Sequence, residues 1–579
     1  MKRYLFALLV CFPICFSSLV FSQNKNQIIL DSIFKTSSEV YFATTITDKN
    51  EIHALTRLIS IDNVSGLTIY AYANRKQFSH FLDLGYNYSI LPHPGSLLKE
   101  EDLNMRGKNS KSPITNWNFY PTYEEYIDEM NGFAASYPNI CKVVPIGTSV
   151  QGRQLLAVKI SDSLNIEQGE PEVFLTSSIH GDETTGYVLM LHLIDSLLTG
   201  YGQNTRITNL VNNYQIFINP LANPDGTYRG GNNTVAGATR YNANDVDLNR
   251  NFPDPKGGPH PDQNAWQTET EAFMRFDSIN HFVMSINFHG GEELFNYPWD
   301  TWAKLHADDE WLNHVGREYA DTVHLYSPIG YFTGPSYSGN GVTNGFAWYE
   351  VEGGRQDYTT YFHNGREVTL EISSTGTPPA SYLTNYWKYN VRSFLNYIEE
   401  SSYGINGRVS DSVTNLPILA KVLALGHDKD NSFVYSKLPS GWYFRPINQG
   451  TYAFTFSAPG YFSKTITGIT ASNWNTTRLN VKLVPLSIGF VEDLEHKQTL
   501  VYPNPSDGNT KLMIPEGQSQ VISVEIFNSL GLLVLTKQLS KSNGSQFCPL
   551  DLTSLANGFY LLKMTGGMLT YENRIIIRK

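Results

Sequence analysis

Three apolar runs in the middle of the chain end on residues that can bind a metal ion, which constrains the fold to a sheet whose strands end side by side. The run "VFLTSSI" leads into His180, with Glu183 three positions further on, and "VMSINF" leads into His289. A third run, "EVTLEIS", has Glu371 near its end. Ligand sites in open α/β sheets lie outside the carboxyl ends of the strands. The three runs therefore predict one site that holds two imidazoles and two carboxylates.

The donor types at this site favour zinc. Of the four cysteines, Cys11 and Cys15 lie in the apolar N-terminal run, so only Cys141 and Cys548 remain, too few for a thiolate cluster. The metal must then be held by histidine and carboxylate side chains. A catalytic zinc takes three such ligands and keeps a fourth position open. A His-x-x-Glu pair alone is common by chance, but the distant His289 completes a zinc-binding set.

The chain divides into several domains, because 579 residues are too many for one hydrophobic core. Residues 118–402 interleave apolar strands with helical stretches, which predicts a mixed α/β sheet covered on both faces. The N-terminal segment and linker, 23–110, alternates β-α-β-α-β over 38–93 and predicts a small α+β domain. Short alternating strands and turns predict two C-terminal β-sandwich domains, 404–487 and 499–579.

The first residues, 1–22, have the layout of a signal peptide. Lys2 and Arg3 precede the apolar run "YLFALLVCFPICFSSLVFS", which ends on the small Ser22. Pro13 disfavours a helix that spans a membrane, although an uncleaved anchor is the alternative. No other stretch is long and apolar enough to span a bilayer. We therefore expect a secreted or cell-surface protein without an integral membrane segment in its mature form.

Composition and charge exclude some partners. A hydrophobic content of 41% and a charged content of 17% are typical of a globular protein. The formal net charge is -11, and no basic tract interrupts the sequence, which argues against nucleic acid as a partner.

Six motifs in the central region carry a resemblance to a known family. They are, in order, "IHGDETTG", "NPDGTYRG", "RYNANDVDLNRNFPD", "INFHGGEELFNYPWD", "TNGFAWYEVEGGRQDY" and "TLEIS". Residues 118–402 thereby resemble the zinc metallocarboxypeptidases, above all the regulatory branch that includes carboxypeptidases N, E, M and D. The resemblance implies a hydrolase that removes the C-terminal residue of peptides and proteins, with one zinc ion bound by His180, Glu183 and His289.

The resemblance also implies roles for the residues around the metal. Asp247 would orient the first zinc histidine. Glu371 would be the general base toward water that zinc activates, and would later return the proton to the leaving amine. Four residues would bind the substrate backbone or close over it: Arg240 at the scissile carbonyl, Asn249 and Arg250 at the terminal carboxylate, and the mobile Tyr349.

The preference for the C-terminal side chain is also implied by the resemblance. Asp300 matches an acid that faces a C-terminal Lys or Arg in the regulatory carboxypeptidases, and Gln356 matches a second polar residue of that pocket. An acid at the pocket floor selects cations, because an apolar side chain would leave it unpaired. The alternative is that Asp300 caps the helix-like segment "TWAKLHADDEWL", since aspartate is a good N-cap.

The outlying domains add further expectations. Residues 404–487 resemble the transthyretin-like domain of the same branch and are expected to support folding. Residues 499–579 resemble the C-terminal sorting domain of the type IX secretion system, which implies secretion machinery as a partner; the alternative is an adhesive β-module. The regulatory branch generally lacks a pro-domain, so 38–93 are either an inhibitory segment or a folding or binding module.

Two other functions compete with the carboxypeptidase interpretation. An amidase or deacylase on the same scaffold would act on cell-wall peptides or acyl amino acids, but would not be expected to keep Asn249 and Arg250. A non-catalytic peptide-binding protein would be expected to have lost a zinc ligand or the base.

Overall fold

The computed structural model describes residues 28–107, 114, 116–335, 338–486, 501–513, 521–528, 531–540, 547–566 and 569–579. They form two compact units, divided between Leu486 and Ser487. The predicted signal peptide, 1–22, lies outside the described residues. Among the described helices, none has both the length and the hydropathy needed to cross a membrane.

The N-terminal domain is a four-stranded antiparallel sheet with strand order β2-β3-β1-β4. Its strands are β1 (Glu39–Thr45), β2 (Ser60–Ser65), β3 (Thr68–Asn74) and β4 (Tyr88–Ile90). Its helices are α1 (28–36), α2 (Ile52–Leu55) and α3 (Arg75–Asp83). Asn74 caps α3, and the α3 residues Phe78 and Phe81 pack on Phe42 of β1. The β-α-β-α-β order predicted from the sequence did not include strand β2. The run predicted as a helix, 51–60, forms only the short helix α2 followed by a turn, and β2 begins at its last residue, Ser60.

The central domain contains an eight-stranded mixed sheet, with strand order β13-β12-β14-β11-β9-β10-β8-β7. Before the sheet come the short paired strands β5 (Met105–Arg106) and β6 (Tyr120–Pro121). The sheet strands are β7 (Cys141–Thr148), β8 (Gln154–Ile160), β9 (Glu172–Ser177), β10 (Gln215–Asn219), β11 (Phe282–His289), β12 (Glu293–Tyr297), β13 (Val342–Asn344) and β14 (Arg366–Ile372). The middle strands β10, β9, β11 and β14 run parallel, so their carboxyl ends meet at one edge.

Helices cover both faces of this sheet. They are α4 (Glu100–Leu103), α5 (Tyr123–Ser136), α6 (Thr185–Gly200), α7 (Thr205–Asn213), α8 (Pro224–Thr227), α9 (Thr268–Ile279), α10 (Asp309–Tyr326), α11 (Gly345–Trp348), α12 (Arg355–His363) and α13 (Ala380–Glu400). Alternate residues of β9 enter different cores: Val173 and Leu175 pack into one, and Phe174 packs into the other. The predicted α/β sheet, buried on both faces, is therefore confirmed.

A β-sandwich follows the central domain. One sheet has the order β18-β15-β21, with β22 also paired to β15, and the other has the order β17-β16-β19-β20. The strands are β15 (Gly404–Asp411), β16 (Lys421–Ala424), β17 (Val434–Tyr435), β18 (Trp442–Arg445), β19 (Gly450–Ser457), β20 (Lys464–Ala471), β21 (Thr476–Arg478) and β22 (Val481–Leu483). Buried Ile405 and Val409 of one sheet share a core with Phe454 and Phe456 of the other.

The second compact unit is also built from two sheets, with orders β23-β24-β27 and β26-β25-β28-β29. Its strands are β23 (Val501–Tyr502), β24 (Asn509–Met513), β25 (Val521–Asn528), β26 (Leu533–Ser540), β27 (Phe547–Asp551), β28 (Gly558–Gly566) and β29 (Leu569–Ile577). Leu512 and Leu550 of the first sheet share a core with Val524 and Leu562 of the second. The multidomain fold class with additional C-terminal β-sheet domains is thus confirmed.

Candidate active site

Three neighbouring parallel strands bring the predicted metal-binding residues together. His180 lies in the turn between β9 and α6, and His289 is the last residue of β11. Glu371 lies directly opposite His289 in the pairing of β14 with β11. The turn after β9 is tight, since Ser178 has a φ of 57° and its hydroxyl donates to the carbonyl of Glu183. The sheet thus sets the mutual positions of these side chains.

His180, Glu183 and His289 converge on one point. The Nδ1 atom of His180 lies 2.8 Å from Oε1 of Glu183, and Nδ1 of His289 lies 2.8 Å from Oε2. The two Nδ1 atoms are 3.1 Å apart. All three side chains are buried. Their ligand atoms lie within 4.8 Å of one another, close enough to bind a single ion.

Asp247 and Arg240 fix the orientation of His180. Oδ1 of Asp247 lies 3.2 Å from Nε2 of His180, which turns Nδ1 toward Glu183. Nε of Arg240 donates to Oδ2 of the same aspartate at 3.0 Å. Burial alone would raise the pKa of Asp247, but Arg240 and His180 outweigh it and hold that pKa well below its usual range. Asp247 therefore stays ionised and holds the imidazole from its far side.

The donor set fits zinc. Two imidazole nitrogens and one carboxylate are the ligand types of a catalytic zinc site. Burial would raise the pKa of Glu183, but the two histidines outweigh it and lower that pKa. An ionised carboxylate and two imidazoles in a buried pocket are suited to hold a divalent cation.

Glu371 stands beside this cluster with an unused oxygen. Its side chain is partly exposed, but Oε2 is buried and has no hydrogen-bond partner among the described residues. Burial raises the pKa of Glu371 well above its usual range, and the charges of Glu183, Asp62 and Glu292 raise it further. A cation at the neighbouring site would oppose this increase, so the carboxyl group is suited to accept and release a proton.

The predicted substrate-binding residues line the same cavity. Arg240, Asn249, Arg250 and Tyr349 all face it, and Nη1 of Arg240 lies 3.4 Å from Oε1 of Glu183. The cavity between them has a volume of about 30 Å³, enough to hold ordered water. Two guanidinium groups thus lie beside the metal-binding cluster, where they can bind the oxygens of a bound peptide.

Asp300 also faces this cavity. Nδ2 of Asn296 donates to Oδ1 of Asp300 at 3.0 Å, and burial raises the pKa of Asp300 to about 7. Gly345 allows this position, since a Cβ there would lie 1.7 Å from Oδ1 of Asp300. Gln356 lies behind Asp300, and its Oε1 accepts from the backbone amide of Thr369. The alternative that Asp300 caps a helix is wrong, because the following helix, α10, begins at Asp309.

The N-terminal domain covers the mouth of the cavity through strand β2. Nη2 of Arg250 donates to the carbonyl of Ile61 at 3.0 Å. Oδ1 of Asp62 lies 3.5 Å from Nη1 of Arg240, and Tyr41 donates to Oδ2 of Asp62 at 3.1 Å. The hydroxyl of Tyr349 lies 3.5 Å from the carbonyl oxygen of Asp62. Sequence reasoning missed all of these contacts, because β2 was not predicted as a strand.

Further contacts hold the N-terminal domain in this position. The buried Glu39 accepts from the backbone amides of Arg240 and Tyr241, at 2.8 and 3.2 Å. Two side-chain contacts lie at the rim of the cavity: a hydrogen bond between His53 and Glu350 and an ion pair of Arg57 with Glu352, each at 2.6 Å. The domain therefore contacts the same chain segments that form the site.

Comparisons with known proteins agree with this geometry. Residues 126–393 match the family described as "Zinc carboxypeptidase", and 500–578 match "Secretion system C-terminal sorting domain". The catalytic chain of human carboxypeptidase N is 32% identical over 397 residues, which cover 62% of this chain and 85% of that protein. The chain belongs to the zinc carboxypeptidase family. The predicted resemblance to the regulatory branch and to the sorting domain is confirmed.

Other relatives belong to the same branch. Mouse carboxypeptidase D is 34% identical over 366 residues, which cover 61% of this chain. The match spans only 26% of the length of that protein. The crystal structure of carboxypeptidase A from Helicoverpa armigera matches with a TM-score of 0.47 and 19% identity, over 62% of this chain and 98% of its own. The family assignment rests on the sequence matches.

Proposed function

We propose that this protein is a secreted zinc carboxypeptidase that removes one C-terminal residue from peptides and proteins, with a preference for Lys and Arg. One observation supports this most strongly. The cluster of His180, Glu183 and His289 shares a single cavity with Glu371, Arg240 and Arg250. A metal-binding cluster, a candidate base and two guanidinium groups are together the parts that hydrolysis of a terminal peptide bond requires.

Each residue of the site is assigned its own role in catalysis. Zinc held by the two histidines and Glu183 would supply Lewis-acid activation. Glu371 takes a proton from the water that attacks the scissile carbonyl and delivers it to the leaving amine. Arg240 donates hydrogen bonds to the carbonyl oxygen as negative charge develops on it, a role in which a preorganised donor is most effective. Asp247 keeps both Arg240 and the zinc histidine in place.

Recognition of the substrate terminus is assigned to Asn249, Arg250 and Tyr349. A planar guanidinium binds a carboxylate with two parallel hydrogen bonds, which favours Arg250 as the main contact of the free C-terminus. Tyr349 would close over the bound residue. Asp300 would pair with a C-terminal Lys or Arg, with Gln356 behind it. An amidase or deacylase has no use for the carboxylate clamp, and a non-catalytic binding protein has no use for Glu371.

We also infer that the N-terminal domain inhibits the enzyme, rather than serving only as a folding or binding module. Arg250 and Arg240 are the groups assigned to the substrate, and they contact Ile61 and Asp62 of β2 instead. A peptide and β2 cannot use these guanidinium groups together. Activity would therefore require the domain to move away or to be removed.

The remaining domains are assigned to secretion and support. The sorting domain supports a proposal that the chain leaves the cell through dedicated secretion machinery, as does the expected signal peptide. Residues 404–487 are assigned to the transthyretin-like domain of the regulatory branch. Asp308 of the central domain pairs with Arg445 of this sandwich at 2.8 Å, and both are buried. The sandwich is thus a structural partner of the central domain.

One experiment tests the proposed activity. Zinc content and residue release from a library of peptides are measured for the full-length chain and for the chain without residues 24–110. We expect one zinc per chain and release of single C-terminal residues, fastest for Lys and Arg and faster without the N-terminal segment. A zinc-loaded protein that releases no C-terminal residue in either form would refute the proposal.

A further inference from the structure

Asp300 is fixed in the cavity by its backbone as well as by its side chain. Its carbonyl accepts from the backbone amide of Val351 at 3.2 Å. Its own amide donates to Asp357, at 3.2 Å to Oδ1 and 3.0 Å to Oδ2. The next amide, that of Thr301, donates to Oδ2 of Asp357 at 2.8 Å. One carboxyl group therefore holds two successive amides of the segment that presents Asp300.

Asp357 does not itself line the cavity. It is 1% exposed and lies in the first turn of α12, the position in a helix where a carboxylate is most favourable. Asp254 supports the same segment, since its Oδ1 accepts from the hydroxyl of Thr301 at 3.0 Å. Asp357 therefore holds the backbone of the segment, and Asp254 holds the Thr301 side chain within it.

We propose that Asp357 is a positioning residue for side-chain selection: it holds the Asp300 carboxylate where a C-terminal Lys or Arg can reach it. The inference rests on the proposed function and adds a residue to it. Small displacements of a binding group have large effects, and a shift of about 1 Å can cost about 10²-fold in rate. Loss of Asp357 should therefore reduce the preference for basic residues without removing the catalytic machinery.

The test is a competition between two peptides that differ only in a C-terminal Lys or Phe. Zinc-loaded full-length wild type and Asp357→Asn are each given both peptides in one reaction, and the ratio of kcat/KM is measured. Both peptides are cleaved by the same fraction of enzyme molecules, those in which the N-terminal domain has moved away from the site. The ratio therefore does not depend on how strongly that domain blocks the site. The asparagine has nearly the same size but presents an NH2 group where a carboxylate oxygen accepted.

We expect the Lys-to-Phe ratio to fall roughly 10-fold to 100-fold in Asp357→Asn, through a higher KM for the Lys peptide and an unchanged rate on the Phe peptide. Asp357→Ser, which is smaller and still able to accept one hydrogen bond, should lower the ratio as well. The matched control is Asp277→Asn: Asp277 is 2% exposed, and its Oδ2 lies 3.4 Å from the hydroxyl of Thr359 of α12. Its ratio should stay at the wild-type value.

The outcomes separate the inference from the function on which it rests. An equal fall of both rates with an unchanged ratio, in either Asp357 variant, would mean a merely structural role and would overturn the inference. A wild type that releases both residues but does not prefer Lys would overturn it together with the role of Asp300. A zinc-loaded wild type that releases neither residue would refute the proposed function itself.

Discussion

Replacement of Glu39 by alanine should activate the full-length enzyme. Glu39 is fully buried and accepts hydrogen bonds from the backbone amides of Arg240 and Tyr241, which are themselves buried. Without the carboxylate, the closed arrangement leaves two buried donors unsatisfied, whereas water can reach them once the N-terminal domain moves away. An unsatisfied buried donor costs about 1–3 kcal/mol, so the closed arrangement should lose roughly 2–6 kcal/mol in all.

This free energy converts into a change in population. Since about 1.4 kcal/mol is a factor of ten, the ratio of open to closed molecules should rise roughly 30-fold to 10⁴-fold. The assay is the rate of C-terminal Lys release by zinc-loaded full-length protein, at a substrate concentration below KM. The rate should rise until it reaches that of the chain without its N-terminal domain.

The control is Asp83→Ala, an exposed residue at the end of α3. This substitution should leave the rate unchanged, because it removes a carboxylate from the same domain without touching the site. If Glu39→Ala retains zinc and is no faster than wild type, the N-terminal domain does not inhibit. The same conclusion would follow if the full-length wild type were already as fast as the chain without its N-terminal domain.

Three further predictions concern the base, the specificity pocket and the domain interface. Glu371→Gln should keep its zinc while kcat falls by ~10²–10⁴, and near-normal turnover of the metal-loaded variant would remove this residue from the mechanism. Because burial raises the pKa of Asp300 to about 7, the acid is ionised above that pH, so the Lys-to-Phe ratio of kcat/KM should rise between about pH 6 and pH 8. A ratio that does not change with pH would contradict this assignment. Asp308→Asn removes a buried carboxylate that pairs with both Arg445 and Arg366, so that Arg445 keeps only Asp428 as an acidic partner, and it should lower the free energy of unfolding in urea by roughly 3–5 kcal/mol. Asp321→Asn removes an exposed partner of a helical ion pair and should change that free energy by less than about 0.5 kcal/mol.

The convergence of the candidate metal ligands could be predicted because their chemistry and their position agree. His180, His289 and Glu371 each stand at the end of an apolar run, and such runs in a covered sheet end at one edge. The residue types then select zinc from the possible metals. The location of this candidate site can therefore be predicted from where the strands end and which donor atoms lie there. It depends little on how individual side chains pack.

The sequence could not predict that the N-terminal domain covers the site, because strand β2 lacks a strand-like pattern. Its sequence, Ser-Ile-Asp-Asn-Val-Ser, is polar and contains an irregularity in its pairing with β3 between Ile61 and Asn63. Polar groups of β2 form hydrogen bonds with the central domain; for example, the Asn63 side chain donates to Glu292. A polar stretch that binds another domain has the same composition as a solvated loop.

Contacts between side chains that are far apart in the sequence could not be predicted either. His53 and Glu350 are 297 positions apart, and nothing local distinguishes them from exposed charges. The same holds for Asp308 and Arg445, which join the central domain to the sandwich. Asp357 was part of a recognised motif, but the role proposed for it depends on which backbone amides face it, and this appears only in the folded chain.

The most direct test of the central claim compares two peptides that differ only in the C-terminal group, a free carboxylate or an amide. The zinc-loaded chain without residues 24–110 is incubated with each peptide, and the products are identified by mass spectrometry. Arg250 is assigned to the carboxylate, and an amide offers it no negative charge. We predict that the free acid loses one C-terminal residue while the amidated peptide stays intact. Equal cleavage of both peptides, or cleavage at internal bonds, would contradict the assignment of this protein as a carboxypeptidase.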